Sequence, residues 1–227
     1  MERRTTIGEI ESTAAKLYKQ GSGLRRWMVR SRPRICPFHV LVDCVPRGSS
    51  LLDVGCGAGL LLNVLAYRSQ ISSGIGFDAS FEAIEMARGA SNEIGGERRA
   101  TFLHLPVEAP WPDGSFEVVS MIDLLHHVDR KEQRSTMEQA AEKVSPGGVL
   151  LYKDMRPRPR WRAWANRLHD LVLARQWINL VESAQLVEWM GEAGLRLERR
   201  ETLDMLWYAH ELLVFRRVEQ PAGAASR

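Results

Sequence analysis

The sequence predicts an α/β protein with a doubly wound, mostly parallel seven-stranded sheet, helices on both faces, an N-terminal helical segment and a helical lid insert after the fifth strand. Two observations lead to this fold class. From residue 50 onward, short apolar runs alternate with segments of helical spacing, which is typical of parallel sheets covered by helices. A glycine-rich turn, Gly55 to Gly59, also joins the first apolar run to the first helix of the alternation.

The predicted elements follow one another in a regular order. Helical spacing covers 7–19 and 24–42, with breaks at Gly21-Ser22-Gly23 and at the Pro33 to Pro37 turn. The sheet region then contains strand 50–55, helix 58–69, strand 73–78, helix 80–90, strands 101–105 and 116–122, helix 132–144 and strand 148–153. The remainder contains candidate helices at 160–177 and 182–193 and closing strands at 195–203 and 207–217.

Length and composition indicate one large domain. The chain has 227 residues, of which 44% are apolar and 26% charged, as in ordinary globular proteins with a single core. We expect an N-terminal helical segment at 1–47, an α/β domain at 48–218 that carries the lid insert at 156–180, and a flexible tail at 219–227.

Other features of composition restrict the compartment and the metal content. Apolar runs stay far below the ~20 residues of a membrane span, and Met1 to Arg4 leads into no apolar signal region. Cys36, Cys44 and Cys56 form neither a CxxC pair nor an even set for disulfides. We therefore predict a cytoplasmic protein with free thiols and no bound metal.

Positive charge is concentrated in two segments. Residues 1–34 carry nine Lys and Arg against three Asp and Glu, and residues 156–177 carry six Arg against one Asp, within a net charge of only +3. Such segments are either solvated or lie against something anionic, which could be a substrate, a membrane surface, nucleic acid or the acidic body of the protein. The sequence leaves these alternatives open.

The glycine-rich turn is the strongest local signal. Asp53 stands at the end of the first strand, and Gly55, Gly57 and Gly59 follow at every second position. Glycines let a backbone turn sharply and approach a ligand without a Cβ in the way. The dinucleotide fingerprint has the different spacing GxGxxG, so this turn favours another cofactor.

The stretch Leu51 to Gly59 resembles motif I of the class I S-adenosylmethionine-dependent methyltransferases, whose pattern is D/E-x-G-x-G-x-G. Three later stretches are similar to the family in order and spacing, so the resemblance covers about residues 48–155. They are Pro112 to Val119, Asp123 to Val128, and Pro146-Gly147-Gly148 before the fifth strand.

The resemblance implies S-adenosylmethionine as the cofactor and a set of residues around it. Asp78, at the end of the second strand, would accept the ribose hydroxyls. Where the family often has an acid for the adenine amino group, this chain has Leu105, so adenine would rely on backbone near Pro106 and Val107 and on apolar packing. The full set of expected cofactor-binding residues is Asp53, Gly55, Cys56, Gly57, Gly59, Asp78, Ala79, Pro106, Val107 and Asp123.

Candidate catalytic residues follow the fourth and fifth strands, because ligands bind beyond the carboxyl ends of the strands in such sheets. His127 is the first choice for a general base, with His126 and the insert's His169 behind it; each histidine could instead be structural. Lys153 and Asp154 interrupt an apolar strand and are either pocket residues or an internal ion pair. His210, near the end of the chain, is a weaker candidate.

The pattern of the insert bears on the predicted function. Trp161, Trp164 and Leu168 form an apolar helical face that suits a cover on the active site, although such a stripe also suits core, a membrane interface or stacking on bases. We predict methyl transfer to a small or carrier-bound organic acceptor at oxygen, nitrogen or carbon. The alternatives are an RNA or lipid-headgroup methyltransferase and a catalytically silent cofactor-binding subunit.

The sequence also bears on partners. No RNA-binding module is recognisable, which argues against nucleic acid, and the basic segments leave peripheral membrane contact open.

Overall fold

The computed structural model describes residues 4–95, 100–155, 179–205 and 208–218. The predicted insert at 156–180, apart from its last two residues, lies outside these ranges, as do His169 and the predicted tail at 219–227. The described residues form one seven-stranded sheet with helices on both faces.

The elements are numbered here in chain order over the described residues. The strands are β1 (Ser49–Val54), β2 (Ile71–Asp78), β3 (Thr101–His104), β4 (Phe116–Ile122), β5 (Val144–Met155), β6 (Leu195–Met205) and β7 (Tyr208–Arg217). The helices are α1 (Ile7–Leu17), α2 (Gly23–Ser31), α3 (Phe38–Asp43), α4 (Leu60–Tyr67), α5 (Phe81–Asn92), α6 (Gln133–Glu142) and α7 (Ser183–Glu192). Two short 3-10 turns lie at Arg32–Arg34 and Leu125–His127.

The strands are arranged in the order β3-β2-β1-β4-β5-β7-β6. Strands β1 to β5 pair in parallel, and β7 pairs antiparallel with both β5 and β6. This confirms the predicted mostly parallel sheet. The strand order reverses direction between β1 and β4, and ligands of doubly wound sheets bind beyond the carboxyl ends of the strands at such a point.

Strand β1 is buried on both faces, which accounts for the adjacent Leu51 and Leu52 in place of an alternation of apolar and polar residues. Leu51 packs in a core that also contains residues of α1, α3, α4 and α5. Leu52 and Val54 pack in the core on the other face, together with residues of α6 and α7. Because α1 and α3 share the first core with β1, the N-terminal segment is packed into the body of the domain.

One predicted break is confirmed and one predicted boundary differs. The stretch 24–42 is divided into α2, the 3-10 turn and α3, as the Pro33 to Pro37 turn predicts, because Pro33 and Pro37 lack the backbone N–H that a continuous helix needs. Strand β5 begins at Val144, so Pro146-Gly147-Gly148 lies within the strand and the prediction that it precedes the strand was wrong. An irregularity between Phe116 and Val118 on β4 accommodates these residues.

Candidate active site

The glycine-rich turn has the backbone conformation that its composition predicts. Gly55, Gly57 and Gly59 have φ values of +68°, +53° and +70°, which side chains other than glycine rarely adopt. A Cβ at Gly55 would overlap Leu124, and one at Gly59 would overlap the ring of Phe102. A Cβ at Gly57 would meet nothing within 4 Å. Two of the glycines therefore serve packing, and Gly57 faces open space.

Asp78 is fixed against this turn by two backbone donors. Its Oδ2 accepts a hydrogen bond from the Gly57 N–H at 2.8 Å, and its Oδ1 accepts one from the Ser80 N–H at 2.8 Å. The side chain is partly buried at the end of β2, and the neighbouring Ala79 is exposed. Since each carboxylate oxygen has a second lone pair, Asp78 retains the capacity to accept two further hydrogen bonds.

Asp53 is a buried carboxyl group at the end of β1. It is 3% exposed, and its Oδ1 accepts a hydrogen bond from the Ser120 hydroxyl at 2.7 Å. Burial raises the pKa of Asp53 to about 7; the Ser120 hydrogen bond lowers it, the charge of Asp78 raises it, and Arg32 lowers it. The site thus contains a carboxyl group that changes charge near neutral pH.

Asp123, directly after β4, joins two cations. Its Oδ1 lies 2.6 Å from the Lys153 Nζ and its Oδ2 lies 3.2 Å from the Arg32 Nη2. Burial alone would raise the pKa of Asp123, but Lys153 and Arg32 hold it well below its usual range. Burial would lower the pKa of Lys153, and Asp123 raises it above its usual value. Both groups therefore remain charged at neutral pH.

In the structure, Lys153 and Asp154 have separate partners and do not form the ion pair with each other that the sequence left open. Lys153 is fully buried and pairs with Asp123, whereas Asp154 accepts hydrogen bonds from His126 Nδ1 at 2.6 Å, Tyr152 Oη at 3.2 Å and the Met155 N–H at 2.7 Å. Successive residues of a strand point to opposite faces, so each finds its own partner.

His126 and His127 differ in exposure although they are neighbours in one 3-10 turn. His126 is 3% exposed and is held by Asp154, whereas His127 is exposed. Their rings lie 4.0 Å apart between centroids. His127 is therefore the more accessible histidine of the pair.

Comparison with known proteins adds to this geometry. A family model described as a methyltransferase domain matches residues 29–199, which is most of the chain. The chain belongs to the class I S-adenosylmethionine-dependent methyltransferases. The resemblance found in the glycine-rich turn is thereby confirmed.

Individual relatives of this chain are distant. The ubiquinone biosynthesis O-methyltransferase of Saccharophagus degradans is 30% identical over 157 residues, which are 65% of this chain and 64% of that protein. The match thus spans slightly less than two thirds of the relative's length.

Solved structures share the fold of this chain. Magnesium protoporphyrin IX methyltransferase from Synechocystis, with bound S-adenosylhomocysteine, superposes with a TM-score of 0.66 at 17% identity and covers 91% of this chain and 93% of its own. An N-methyltransferase from Bradyrhizobium japonicum, in complex with S-adenosylhomocysteine, gives 0.64 at 15% identity over 93% of this chain and 100% of its own. At these identities the likeness establishes the fold alone.

The third strand leads to the region where the methyltransferase family often has an acid. Leu105 is partly buried and packs against the apolar core, and its N–H donates to the Asp78 carbonyl at 3.0 Å. The carbonyls of Pro106 and Val107 already accept hydrogen bonds from the Ala109 N–H and the Trp111 indole. Each of these carbonyl oxygens has a second lone pair, so the region combines backbone acceptors with the apolar side chain of Leu105.

Cys56 and His210 are two further residues that the sequence singles out. The Cys56 side chain lies against β2, where a Cβ at Gly76 would come within 3.0 Å of its sulfur. His210 is buried on β7, and its Nε2 lies 2.7 Å from the Ile35 carbonyl oxygen. Burial and the nearby Lys153 lower the pKa of His210 to about 4, so it is neutral at physiological pH.

Several supporting residues were missed by sequence reasoning. The Tyr18 hydroxyl, from the end of α1, donates to the Ala58 carbonyl in the turn at 2.7 Å and accepts from Asn63 Nδ2 at 3.2 Å. Asn63 is fully buried and also donates to the Ala87 carbonyl. The available signal was a single amide within the otherwise apolar α4, but nothing in the sequence identifies Tyr18 as its partner.

Among the described residues, no group of His, Cys, Asp and Glu is arranged to hold a metal ion. Within the described ranges, no helix has the length and apolarity to cross a bilayer.

Proposed function

We propose that this chain transfers a methyl group from S-adenosylmethionine to a small or carrier-bound organic acceptor, at oxygen, nitrogen or carbon. The observation that carries the proposal is the Asp78 carboxylate, fixed by the Gly57 N–H beside a turn that leaves open space over Gly57. Family membership supports the reaction class.

The residues present suit a cationic nucleoside cofactor. The turn offers a surface without side chains at Gly57, where a Cβ would otherwise project. Two carboxyl groups, Asp53 and Asp78, flank the turn, which fits a ligand with positive charge and no pyrophosphate to neutralise. We assign the ribose hydroxyls to Asp78 and the amino end of the cofactor to Asp53.

The chain's own contribution to the reaction is mainly positioning. The cofactor, when bound, supplies a methyl group already activated by its sulfonium charge. The glycine turn, braced by Tyr18, orients the ligand, and Leu105 offers an apolar contact for the adenine ring. Such positioning alone accounts for a large share of rate enhancement in two-substrate reactions.

A base is needed where the acceptor carries a proton, and His127 is the residue we assign to it. His127 is exposed in the turn that follows β4, and imidazole accepts protons near neutral pH. The buried pair of His126 and Asp154 lies beneath it and orients the turn. Lys153, held as an ammonium by Asp123, has no lone pair with which to accept a proton.

The small-molecule class of acceptor is supported by the relatives. Those compared above are an O-methyltransferase of ubiquinone biosynthesis, a methyltransferase of magnesium protoporphyrin IX and an N-methyltransferase. Their acceptors differ, so the acceptor of this chain is best identified by a screen that assumes no particular compound.

The experiment is an acceptor screen with isotopically labelled cofactor. Purified protein is incubated with metabolite extract and S-adenosylmethionine that carries a deuterated methyl group, and mass spectrometry detects metabolites that gain the label. Asp78→Ala serves as the control that should lose the labelled product. Label found only in RNA or lipid headgroups, or in no compound although cofactor binds, would contradict the proposal.

A further inference from the structure

Ser120 is a buried hydroxyl group in the otherwise apolar stretch of β4 from Val118 to Ile122. Side chains alternate between the two faces of a strand, so Val118 and Ile122 share a face with Ser120, and both belong to the apolar core on that face. A hydroxyl group buried among apolar side chains is unfavourable unless it is hydrogen-bonded. Ser120 therefore needs a partner within the fold.

The register of β4 against β1 supplies that partner. Asp53 and Ser120 are directly paired across the two parallel strands. The Ser120 hydroxyl lies 2.7 Å from Asp53 Oδ1, whereas the Leu52 carbonyl oxygen lies 3.5 Å away. Because a hydroxyl group has a single proton to donate, the shorter contact is the one that it satisfies. The hydrogen bond of Ser120 thus goes to the Asp53 carboxyl group.

The two oxygens of the Asp53 carboxyl group have different surroundings. Oδ1 accepts from Ser120, and within the part of the chain that the structure describes Oδ2 has no hydrogen-bond partner. Asp53 stands just before the glycine-rich turn. A hydrogen bond from a buried neighbour fixes the direction in which a site residue presents its remaining lone pairs. Oδ2 is therefore the oxygen that can receive a cation bound at the turn.

Four other titratable or charged groups lie near Asp53. Asp78 raises the pKa of Asp53 and Arg32 lowers it, but Arg32 is half exposed and already pairs with another carboxylate. Burial raises the pKa of the Tyr18 hydroxyl and that of the Cys56 thiol, so both groups are neutral at physiological pH. A hydrogen bond donated to a carboxylate favours its charged form, so the donor from β4 opposes the effect of burial.

We propose that Ser120 is a positioning residue of the cofactor site, whose hydroxyl orients the Asp53 carboxylate and favours its charged form when the cofactor's amino end binds. This inference rests on the proposed function, in which Asp53 receives that amino end. Ser120 is fully buried, so it acts on the cofactor only through Asp53. Hydrogen bonds to a charged acceptor are stronger than those between neutral groups, so loss of the hydroxyl should be measurable in cofactor affinity.

The test is calorimetric titration of S-adenosylhomocysteine into wild type and Ser120→Ala between pH 6 and pH 8.5. This ligand keeps the amino group and lacks the sulfonium charge. We expect Ser120→Ala to bind roughly tenfold more weakly than wild type at pH 7 and within about threefold of it at pH 8.5. The difference shrinks because alkaline solution ionises Asp53 without the help of the hydroxyl. A loss of packing alone would not follow pH in this way.

Further variants separate positioning from packing. Ser91→Ala is the matched control, because Ser91 is also a buried serine and its hydroxyl donates to the Ala100 carbonyl, before the amino end of β3. It should bind as wild type at every pH. In an Asp53→Asn background, Ser120→Ala should change affinity by less than about twofold. Should Ser120→Ala fail to fold, Ser120→Cys is measured, with an expected loss of roughly threefold or more at pH 7, since a thiol is a weaker donor.

Three results would overturn the proposal. They are wild-type affinity in Ser120→Ala at pH 7, an equal loss at pH 7 and pH 8.5, and the same loss in the Asp53→Asn background as in wild type. In each of these cases wild type still binds the ligand, so the proposed function is unaffected. Wild type that does not bind S-adenosylhomocysteine would overturn the proposed function, and the role of Ser120 with it.

Discussion

At the scale of single residues, Asp53 links cofactor binding to pH. Burial raises the pKa of this carboxyl group to about 7, so much of it is protonated in the free protein at neutral pH. A cationic ligand favours the carboxylate, so binding releases a proton. We expect affinity for S-adenosylmethionine to be constant above pH 7 and to fall by up to about tenfold per pH unit below it.

Calorimetry in two buffers with different heats of ionisation measures this proton release. About one proton should be released near pH 6 and almost none at pH 8. Asp53→Asn should remove the pH dependence and lower the affinity at pH 8. A wild-type affinity that rises as the pH falls would show that Asp53 does not face the cation.

Gly57 and Gly59 provide a matched pair of substitutions. Both have positive φ, so valine strains the backbone by about 1–3 kcal/mol at either position. Gly57→Val places its side chain in open space, so we expect a folded protein that no longer binds cofactor. Gly59→Val overlaps the Phe102 ring and should lower the free energy of unfolding further. Urea denaturation and calorimetry measure the two effects; cofactor affinity retained in folded Gly57→Val would remove the turn from the site.

His127 is tested by replacement with glutamine. His127→Gln should lower turnover by roughly 10²-fold, the usual scale of general-base assistance, and leave cofactor affinity unchanged. Turnover is measured by product formation once an acceptor is known, and affinity by calorimetry. Lost cofactor binding would instead identify His127 as structural, and unchanged turnover would exclude it as the base.

Residues of the candidate site could be predicted from the sequence where their role depends on their immediate neighbours in the chain. The glycine turn and Asp78 could be predicted because the glycine spacing and an acidic residue at the end of a strand are visible in short stretches of sequence. The contacts of Tyr18 and Asn63 could not, because the two residues are 45 positions apart and meet only through packing of α1 on α4. The same holds for Arg32, which reaches Asp123 across 91 positions.

At the scale of elements, β4 and β5 are joined at their carboxyl ends by Asp123 and Lys153. Lys153 is fully buried, whereas the Asp123 side chain is 16% exposed. Asp123→Asn keeps a residue that tolerates the φ of +53° but leaves a buried ammonium without its counter-charge. We expect the free energy of unfolding to fall by about 3–5 kcal/mol, measured by urea denaturation.

The double variant Asp123→Asn/Lys153→Met is the control for this prediction. It removes both charges, so it should recover most of the lost stability. Arg32→Gln, which removes the more exposed cation, should cost no more than about 1 kcal/mol. If the double variant is as unstable as Asp123→Asn, a shared packing defect explains the loss and the buried-charge argument fails.

The presence of a helix or strand was easier to predict than the elements it contacts or the residues at which it begins and ends. The strand β1, with its adjacent Leu51 and Leu52, and the proline breaks after α2 follow from local physics, and the structure confirms them. The early start of β5 at Val144 was missed, because an irregular register tolerates Gly147 within a strand that glycine normally interrupts. Partners of Lys153 and Asp154 depend on the register of β5 against β4 and on the turn after β4, which no single strand encodes.

At the scale of the whole molecule, the sheet brings distant acids and glycines to one edge. Asp53, Asp78 and Asp123 end three strands that are neighbours in the sheet, β1, β2 and β4. Fold class was predictable because alternation of strands and helices is a global pattern in the sequence. The N-terminal segment shares the core and lies over that edge, which alternation alone does not reveal.

Direct titration of S-adenosylmethionine into the protein tests the central claim that this edge is a cofactor site. Wild type should bind one equivalent, and Asp78→Ala should weaken binding by about 1–3 kcal/mol through loss of the ribose acceptors. Asp113→Ala removes an exposed acid from the turn before β4 and should bind as wild type. No heat of binding in wild type, or equal affinity in wild type and folded Asp78→Ala, would contradict the account.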